Sequence, residues 1–125
     1  MVSVGMKGRK LIFSFFYAIR GIWKAIQEEQ NLKIHLATTV VVIFLTFYFA
    51  IDGWERAWII LSTFLVLSAE MFNTAIEAVV DRGGQAYHPL AELAKDAAAG
   101  AVLLLAIQAI IAGITVFGPR VLALW

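Results

Sequence analysis

The sequence predicts an all-α membrane protein, in which an N-terminal amphipathic surface helix precedes three transmembrane helices. Of its 125 residues, 62% are hydrophobic and 15% are charged, whereas soluble domains are roughly 45–50% apolar and about 25% charged. Two long runs, 36–51 and 97–119, contain no charged residue. These observations argue against a soluble globular domain, and the high hydrophobicity excludes a disordered chain. Without cysteine, the chain forms no disulfide and no thiolate metal site.

Residues 9–28 are predicted to form the surface helix. Its apolar residues recur at steps of three and four, as in Ile12, Phe15, Phe16, Ile19, Ile22, Trp23 and Ile26. A basic amphipathic helix of this kind lies in the plane of the membrane interface. Two alternatives are a helix packed in a soluble core and a plain membrane anchor. A cleaved signal peptide fits poorly, because Arg20 and Lys24 interrupt its apolar stretch.

Three segments are long enough to cross a bilayer, whose apolar core of about 30 Å needs roughly 20 residues of helix. The predicted spans are 32–51, 54–80 and 96–119. The first includes Lys33, whose stem can lie along the apolar region while its ammonium group reaches water. In the second, Trp54 and Trp58 suit an interfacial aromatic belt.

The distribution of lysine and arginine predicts the orientation. Eight of the ten lie before the charge-free run 36–51 or between the second and third spans: Lys7, Arg9, Lys10, Arg20, Lys24, Lys33, Arg82 and Lys95. The other side carries only Arg56 and Arg120. The positive-inside rule therefore places the N-terminus in the cytoplasm. The net charge of +1 by itself says nothing about nucleic acid, and we expect no nucleic-acid partner.

Four polar residues share one face of the second span. Glu70, Asn73, Glu77 and Asp81 are spaced by three, four and four, which places them within about 80° of arc and along about 16 Å of helix. Ionisable groups inside a membrane are costly and indicate a functional site by default. The alternative is a polar seam that holds helices together.

The predicted topology brings further charged residues to the same membrane boundary, namely Glu28, Glu29, Lys95 and Asp96. Carboxylates suit Mg²⁺ together with phosphate oxygens, and a lysine supplies positive charge for phosphate. A carboxyl group in an apolar environment has a raised pKa, which suits a general base. We therefore expect phosphoryl transfer from ATP to a lipid alcohol, with Glu70, the deepest carboxylate, as the base.

Known phosphate-binding motifs do not account for this chemistry. The sequence has no glycine-rich loop that ends in lysine and serine or threonine. Gly83 and Gly84 follow the second span and are interpreted as a helix stop and turn rather than as a phosphate nest. An ion-handling subunit and a structural membrane protein remain the alternatives to a lipid-modifying enzyme.

The stretch from Glu70 to Asp81, followed by Ala94-Lys95-Asp96 and a run of small residues, resembles the prokaryotic diacylglycerol kinase family of small membrane kinases. The resemblance covers nearly the whole chain. It implies one integral membrane kinase domain over residues 1–125, in a bacterial cell membrane. It also implies Mg²⁺ as cofactor, ATP as co-substrate, and a homotrimer whose active sites are shared between subunits.

The resemblance assigns roles residue by residue. Glu70 would be the proton acceptor, supported by Asn73, and Glu29 and Glu77 would hold the metal. The residues implied to bind ATP are Tyr17, Glu29, Glu77, Tyr87, His88, Lys95 and Asp96. Those implied to contact the lipid are Lys10, His35 and Glu70. For His88, the alternative is a helix cap.

Two branches of the family act on diacylglycerol or on undecaprenol. Residues 29–35 and 97–101 resemble the undecaprenol kinase branch of Gram-positive bacteria, since the diacylglycerol branch typically has an acidic residue at the position of His35. We therefore expect phosphorylation of undecaprenol to undecaprenyl phosphate, with diacylglycerol as the alternative. The alternative for His35 is that it lies at the membrane interface without contacting the substrate.

Overall fold

The computed structural model describes residues 4–125, with side chains from residue 8 onward. Within this part of the chain there are four helices, α1 (Val4–Glu28), α2 (Gln30–Tyr48), α3 (Gly53–Asp81) and α4 (Pro89–Leu122). The last three are long and apolar enough to cross a membrane. The predicted all-α fold, with an N-terminal helix before three candidate spans, is confirmed. The side chain of Lys7, used above for orientation, lies outside the described residues.

The ends of the spans follow local chemistry. Helix α2 ends at Tyr48, three residues before the predicted end, because the chain turns at Ala50, whose φ is +50°. Helix α4 starts early, at Pro89, where a proline fits the first helical position. Its 34 residues measure about 51 Å at 1.5 Å per residue, so both ends extend beyond an apolar core of about 30 Å.

A single residue separates α1 from α2. Glu29 is extended, with φ −105° and ψ 114°. Its amide still donates to the carbonyl of Ala25 at 2.9 Å, and its own carbonyl accepts from the amide of Lys33 at 3.2 Å. The interruption is therefore one residue long, and it places the Glu29 carboxylate at the junction of the two helices.

The helices have a packed end and a charged end. At the packed end, where α2 and α4 end and α3 begins, Ile51, Ile59, Ala112 and Val116 form the buried core. Arg120 closes this end by donating from both terminal nitrogens to the Glu55 carboxylate, at 3.0 and 3.1 Å. At the charged end, α2 and α4 begin and α3 ends.

One polar contact joins α3 and α4 in the middle of the spans. Nε2 of Gln108 donates to Oγ of Ser62 at 2.8 Å, and Ser62 in turn donates to the carbonyl of Trp58 at 2.8 Å. Helices α3 and α4 also form the most extensive interhelical contact. The hydrogen bond therefore fixes the register of the best-packed pair of helices.

Large apolar side chains cover much of the surface. The predicted stripe of α1 is exposed, including Phe16 and Ile19, which are 65% and 64% exposed. Phe44 of α2 and Ile114 of α4 are exposed to a similar degree. A surface of this composition requires lipid or another protein chain against it.

Candidate active site

The polar face of α3 begins at a buried carboxylate. Glu70 is only 3% exposed, and its Oε2 lies 3.9 Å from Nε2 of His35 on α2. The His35 side chain is 29% exposed and that of Glu70 is 4% exposed. The structure thus places the predicted base and one predicted lipid contact side by side, with the histidine on the more accessible side.

One turn further along α3 lies Asn73, whose side chain is bound to Glu77. Nδ2 of Asn73 donates to Oε1 of Glu77 at 3.3 Å, while its Oδ1 is buried without a partner among the described residues. Asn73 also lines an apolar groove of about 340 Å³ between α3 and α4. Asn73 therefore belongs both to the polar face of α3 and to the lining of a groove that can hold an apolar chain.

At the charged end, α3 and α4 are joined by an ion pair. Nζ of Lys95 lies 2.6 Å from Oδ1 of Asp81, so the polar face of α3 continues onto the first turns of α4. Both side chains remain substantially exposed. A partly exposed lysine between carboxylates is a suitable contact for a polyphosphate.

An open cavity of about 990 Å³ surrounds this ion pair. Four of the residues implied to bind ATP line it together: Tyr87, His88, Lys95 and Asp96. Its wall includes the turn at Gly83 and Gly84, where Gly84 has a φ of +91° that favours glycine. The two glycines end α3 as predicted, because the amide of Gly83 donates to the carbonyl of Val80 in a turn.

Two side chains of the cavity wall are held by hydrogen bonds. The hydroxyl of Tyr87 donates to Oε2 of Glu92 at 2.7 Å, and this bond raises the pKa of Tyr87. Nδ1 of His88 accepts from the amide of Leu90 at 3.1 Å, so His88 caps α4. The helix-cap alternative for His88 is therefore observed, and the same residue also lines the cavity.

Several predicted residues lie apart from this cavity, among them Glu77, which is bound to Asn73 on α3. Tyr17 lines a separate apolar groove of about 430 Å³ between α1 and α3. Lys10 is exposed on α1, and Glu29 lies at the α1–α2 junction. Within the described part of the chain, no group of three or more histidine, aspartate or glutamate side chains could hold a metal. A metal held by Glu29 and Glu77 would therefore need further oxygen ligands, such as those of a phosphate.

Comparison with known proteins explains this arrangement. Residues 16–117 match the family model for prokaryotic diacylglycerol kinase. The chain is 44% identical over 115 residues to a diacylglycerol kinase of Synechocystis, covering 91% of this chain and 66% of that protein. It is 40% identical over 107 residues to an undecaprenol kinase of Bacillus subtilis, covering 86% of this chain and 87% of that protein. It is 33% identical over 102 residues to a diacylglycerol kinase of Escherichia coli, covering 82% of this chain and 84% of that protein.

The chain belongs to the prokaryotic diacylglycerol kinase family. It is thus a lipid kinase of that family, as the resemblance implied. The chain spans about two thirds of the length of the Synechocystis protein and most of the other two. Relatives named for either lipid have similar identities, so similarity assigns the family without assigning the lipid.

In this lipid kinase, sequence reasoning missed the partners of several site residues. It did not pair His35 with Glu70 or Asp81 with Lys95, since each pair joins two helices. It also missed Glu92, which fixes Tyr87. A signal was present for Glu92, because it lies in the first turn of the helix that follows Tyr87 and is the acidic residue there.

Proposed function

We propose that this kinase transfers the γ-phosphate of ATP to the primary hydroxyl of a membrane lipid, with undecaprenol as the favoured substrate. One observation supports this most strongly. A single face of α3 runs from a buried carboxylate, Glu70, to an ion pair at an open cavity, Asp81 with Lys95. A reaction between a lipid alcohol and a water-soluble nucleotide needs this connection between an apolar and a polar region.

ATP would occupy the open cavity at the charged end. Its volume of about 990 Å³ is at the upper end of the roughly 300–1,000 Å³ typical of small-molecule sites. Lys95 would exchange part of its contact with Asp81 for a phosphate group. Tyr87, His88 and Asp96 line the same cavity and would bind the rest of the nucleotide.

Glu29 and Glu77 would hold Mg²⁺ together with phosphate oxygens. Two carboxylates with no sulfur or nitrogen ligand fit this hard cation, which is often bound by one or two carboxylates plus phosphate. The hydrogen bond from Asn73 orients the Glu77 carboxylate. The ion supplies positive charge that neutralises the transferring phosphoryl group.

Glu70 would take the proton of the lipid hydroxyl. Its burial at 3% exposure means that an acceptor reaching it must come from the apolar side, as a lipid does. The hydroxyl oxygen then bonds to the γ-phosphorus while the bond to ADP breaks. Asn73, one turn away, would support the bound reactants through its buried amide.

Complete sites would be formed between subunits of a homotrimer. Tyr17, Lys10 and Glu29 lie away from the cavity of their own chain, whereas a neighbouring copy can bring such residues to it. The exposed apolar faces of the three spans provide surface for that contact. We further propose that residues 1–125 form one membrane domain, with the charged end on the cytoplasmic side where ATP is available.

Undecaprenol is favoured because His35 stands where the diacylglycerol branch typically has an acidic residue, and because the Bacillus subtilis relative is named an undecaprenol kinase. Diacylglycerol is the second candidate, favoured by the 44% identity to the Synechocystis diacylglycerol kinase. The test supplies purified kinase with labelled ATP and Mg²⁺, and with each lipid in matched micelles. Preferential labelling of undecaprenol supports the proposal, preferential labelling of diacylglycerol selects the alternative, and labelling of neither contradicts both.

A further inference from the structure

We propose that His35 accepts from Glu70 the proton that Glu70 takes from the lipid alcohol, and releases it to water. This inference rests on the proposed role of Glu70 as base. In this proposal His35 does not contact the reacting atoms. It acts through Glu70, from which it takes the proton. The observation behind it is the 3.9 Å separation of His35 Nε2 and Glu70 Oε2, between side chains that are 29% and 4% exposed.

A buried base needs such a route. After each turnover Glu70 is protonated, and it must lose that proton before it can act again, yet its side chain is almost completely enclosed. The hydroxyl of Thr74 donates to the backbone carbonyl of Glu70 and is not directed to the carboxyl group. The Asn73 amide donates to Glu77 instead.

His35 is suited to the task by position and chemistry. Among the described residues, it is the only basic side chain within 4.0 Å of the Glu70 carboxylate. The separation of 3.9 Å exceeds a hydrogen bond of about 2.7–3.2 Å, but catalytic hydrogen bonds commonly shorten when substrate binds. A neutral imidazole can accept a proton at one ring nitrogen and donate one from the other, which suits it to pass a proton on.

Of the charged and hydroxyl groups near His35 on α2 and α3, Glu70 is the one placed to give it a proton. On α2 itself, the hydroxyl of Thr39 donates to the His35 carbonyl and leaves the ring free. Lys33 lies two residues earlier on α2 and Glu29 at the α1–α2 junction. On α3, Glu77 lies two turns beyond Glu70 and accepts from Asn73. Within residues 8–125, Glu70 is the only acidic side chain within 4.0 Å of the imidazole.

The proton balance closes over one turnover. The lipid hydroxyl loses its proton to Glu70 as its oxygen bonds to the γ-phosphorus and ADP leaves. Glu70 then donates this proton to Nε2 of neutral His35, which restores the carboxylate. The imidazolium releases its Nδ1 proton to water, which leaves a neutral ring protonated at Nε2. Exchange with water then moves this proton to Nδ1, so that Nε2 is again free to accept. One proton reaches water for each phosphoryl group transferred.

A rapid-mixing experiment tests the relay with His35→Gln in the assembled full-length kinase. Because the relay restores the base after the first transfer, the first turnover should keep a near-normal rate. Steady-state turnover should fall by roughly 10²-fold, the low end of general acid–base contributions. The KM for ATP should stay unchanged. Equal slowing of the first and later turnovers would overturn the relay, since it would mean that His35 positions the lipid only.

Rescue by added imidazole provides a second measurement. His35→Ala leaves space at a partly exposed position, so imidazole should restore steady-state turnover, with a pH profile that follows the neutral form of the added base. The unmodified kinase serves as the control, and added imidazole should not accelerate it. Absence of rescue in an assembled His35→Ala trimer would contradict the relay.

The two proposals fail differently. Glu70→Gln should be inactive from the first turnover, and imidazole should not rescue it. If Glu70→Gln turns over normally, the proposed base is wrong and the relay with it. If Glu70→Gln is inactive while the His35 variants match the unmodified kinase, the relay alone is wrong.

Discussion

Asn73 donates a hydrogen bond from Nδ2 to Oε1 of Glu77, four residues further along α3, at 3.3 Å. This bond fixes which way the amide points, because only the nitrogen of the group can donate to a carboxylate. Oδ1 of Asn73 is thereby left buried and without a partner among the described residues. One side chain thus orients the proposed metal ligand and keeps a buried acceptor atom without a partner among the described residues.

Replacing Asn73 by alanine should therefore affect catalysis more than folding. Glu77 would lose the bond that orients it, and a misplaced catalytic group can cost up to roughly 10²-fold in rate, so kcat/KM for Mg·ATP should fall about tenfold or more. Thr74→Val, which changes the neighbouring residue and removes only a bond to a backbone carbonyl, is the control. Steady-state kinetics of both variants in matched micelles measure the difference, and equal kinetics would remove Asn73 from the site.

The role of Glu70 is tested by Glu70→Gln, which keeps the shape of the side chain and removes its basicity. Turnover should fall by roughly 10²–10⁴, the usual contribution of general acid–base catalysis, while ATP affinity changes little. Glu55→Gln makes the same substitution at the packed end of α3 and should leave turnover unchanged, although it weakens the ion pair with Arg120. Near-normal turnover in Glu70→Gln would contradict the assignment.

Binding of ATP in the open cavity is tested by replacing two basic residues, one in its lining and one outside it. Lys95→Met should raise the KM for ATP, because it removes the positive charge from the cavity wall while keeping a side chain of similar length. Arg82→Met removes a positive charge from the end of α3, at a position outside the described lining. The KM for ATP should be unchanged in that control. If both variants raise it equally, general electrostatic attraction rather than a cavity contact explains the effect.

The shared Mg²⁺ site predicts matching behaviour of Glu29→Ala and Glu77→Ala. Each should weaken Mg²⁺-dependent nucleotide binding, measured by calorimetry across a Mg²⁺ titration, and raised Mg²⁺ should partly restore it. Normal binding of Mg·ATP by both variants would place the ion elsewhere.

Mixed trimers test whether sites are shared. Glu29→Ala and Glu70→Gln subunits, each inactive alone, should recover activity when assembled together, if one site takes these residues from different chains. The activity of trimers with verified composition measures this. Trimers that contain both subunits and stay inactive would show that each site is built within one chain.

The surface position of α1 predicts a selective effect on the lipid. Phe16→Asp places a charge on the exposed apolar stripe, so it should lift the helix from the membrane and raise the KM for lipid more than that for ATP. Ser14→Asp introduces the same charge on the polar face and should have little effect. Unchanged lipid kinetics in a correctly assembled Phe16→Asp variant would identify α1 as a plain anchor.

Sequence reasoning predicted the features that lie on a single helix and missed the side-chain contacts between helices. The face that carries Glu70, Asn73 and Glu77 follows directly from helical spacing. The His35–Glu70 contact and the Gln108–Ser62 bond depend on how whole helices pack against each other, and no local pattern encodes that packing. The early end of α2 was missed for a similar reason, since the turn buries Ile51 in the core with residues of α3 and α4.

The separation of the packed end from the charged end gives mutations two distinct outcomes. Substitutions near Ile59 or Val116 should change how much folded enzyme a cell maintains, since losses of about 1–2 kcal/mol can alter abundance several-fold. Substitutions near Glu70 or Lys95 should change how fast each molecule works. Natural selection can therefore adjust the quantity of this enzyme and its speed at opposite ends of the same helices, with little conflict between the two.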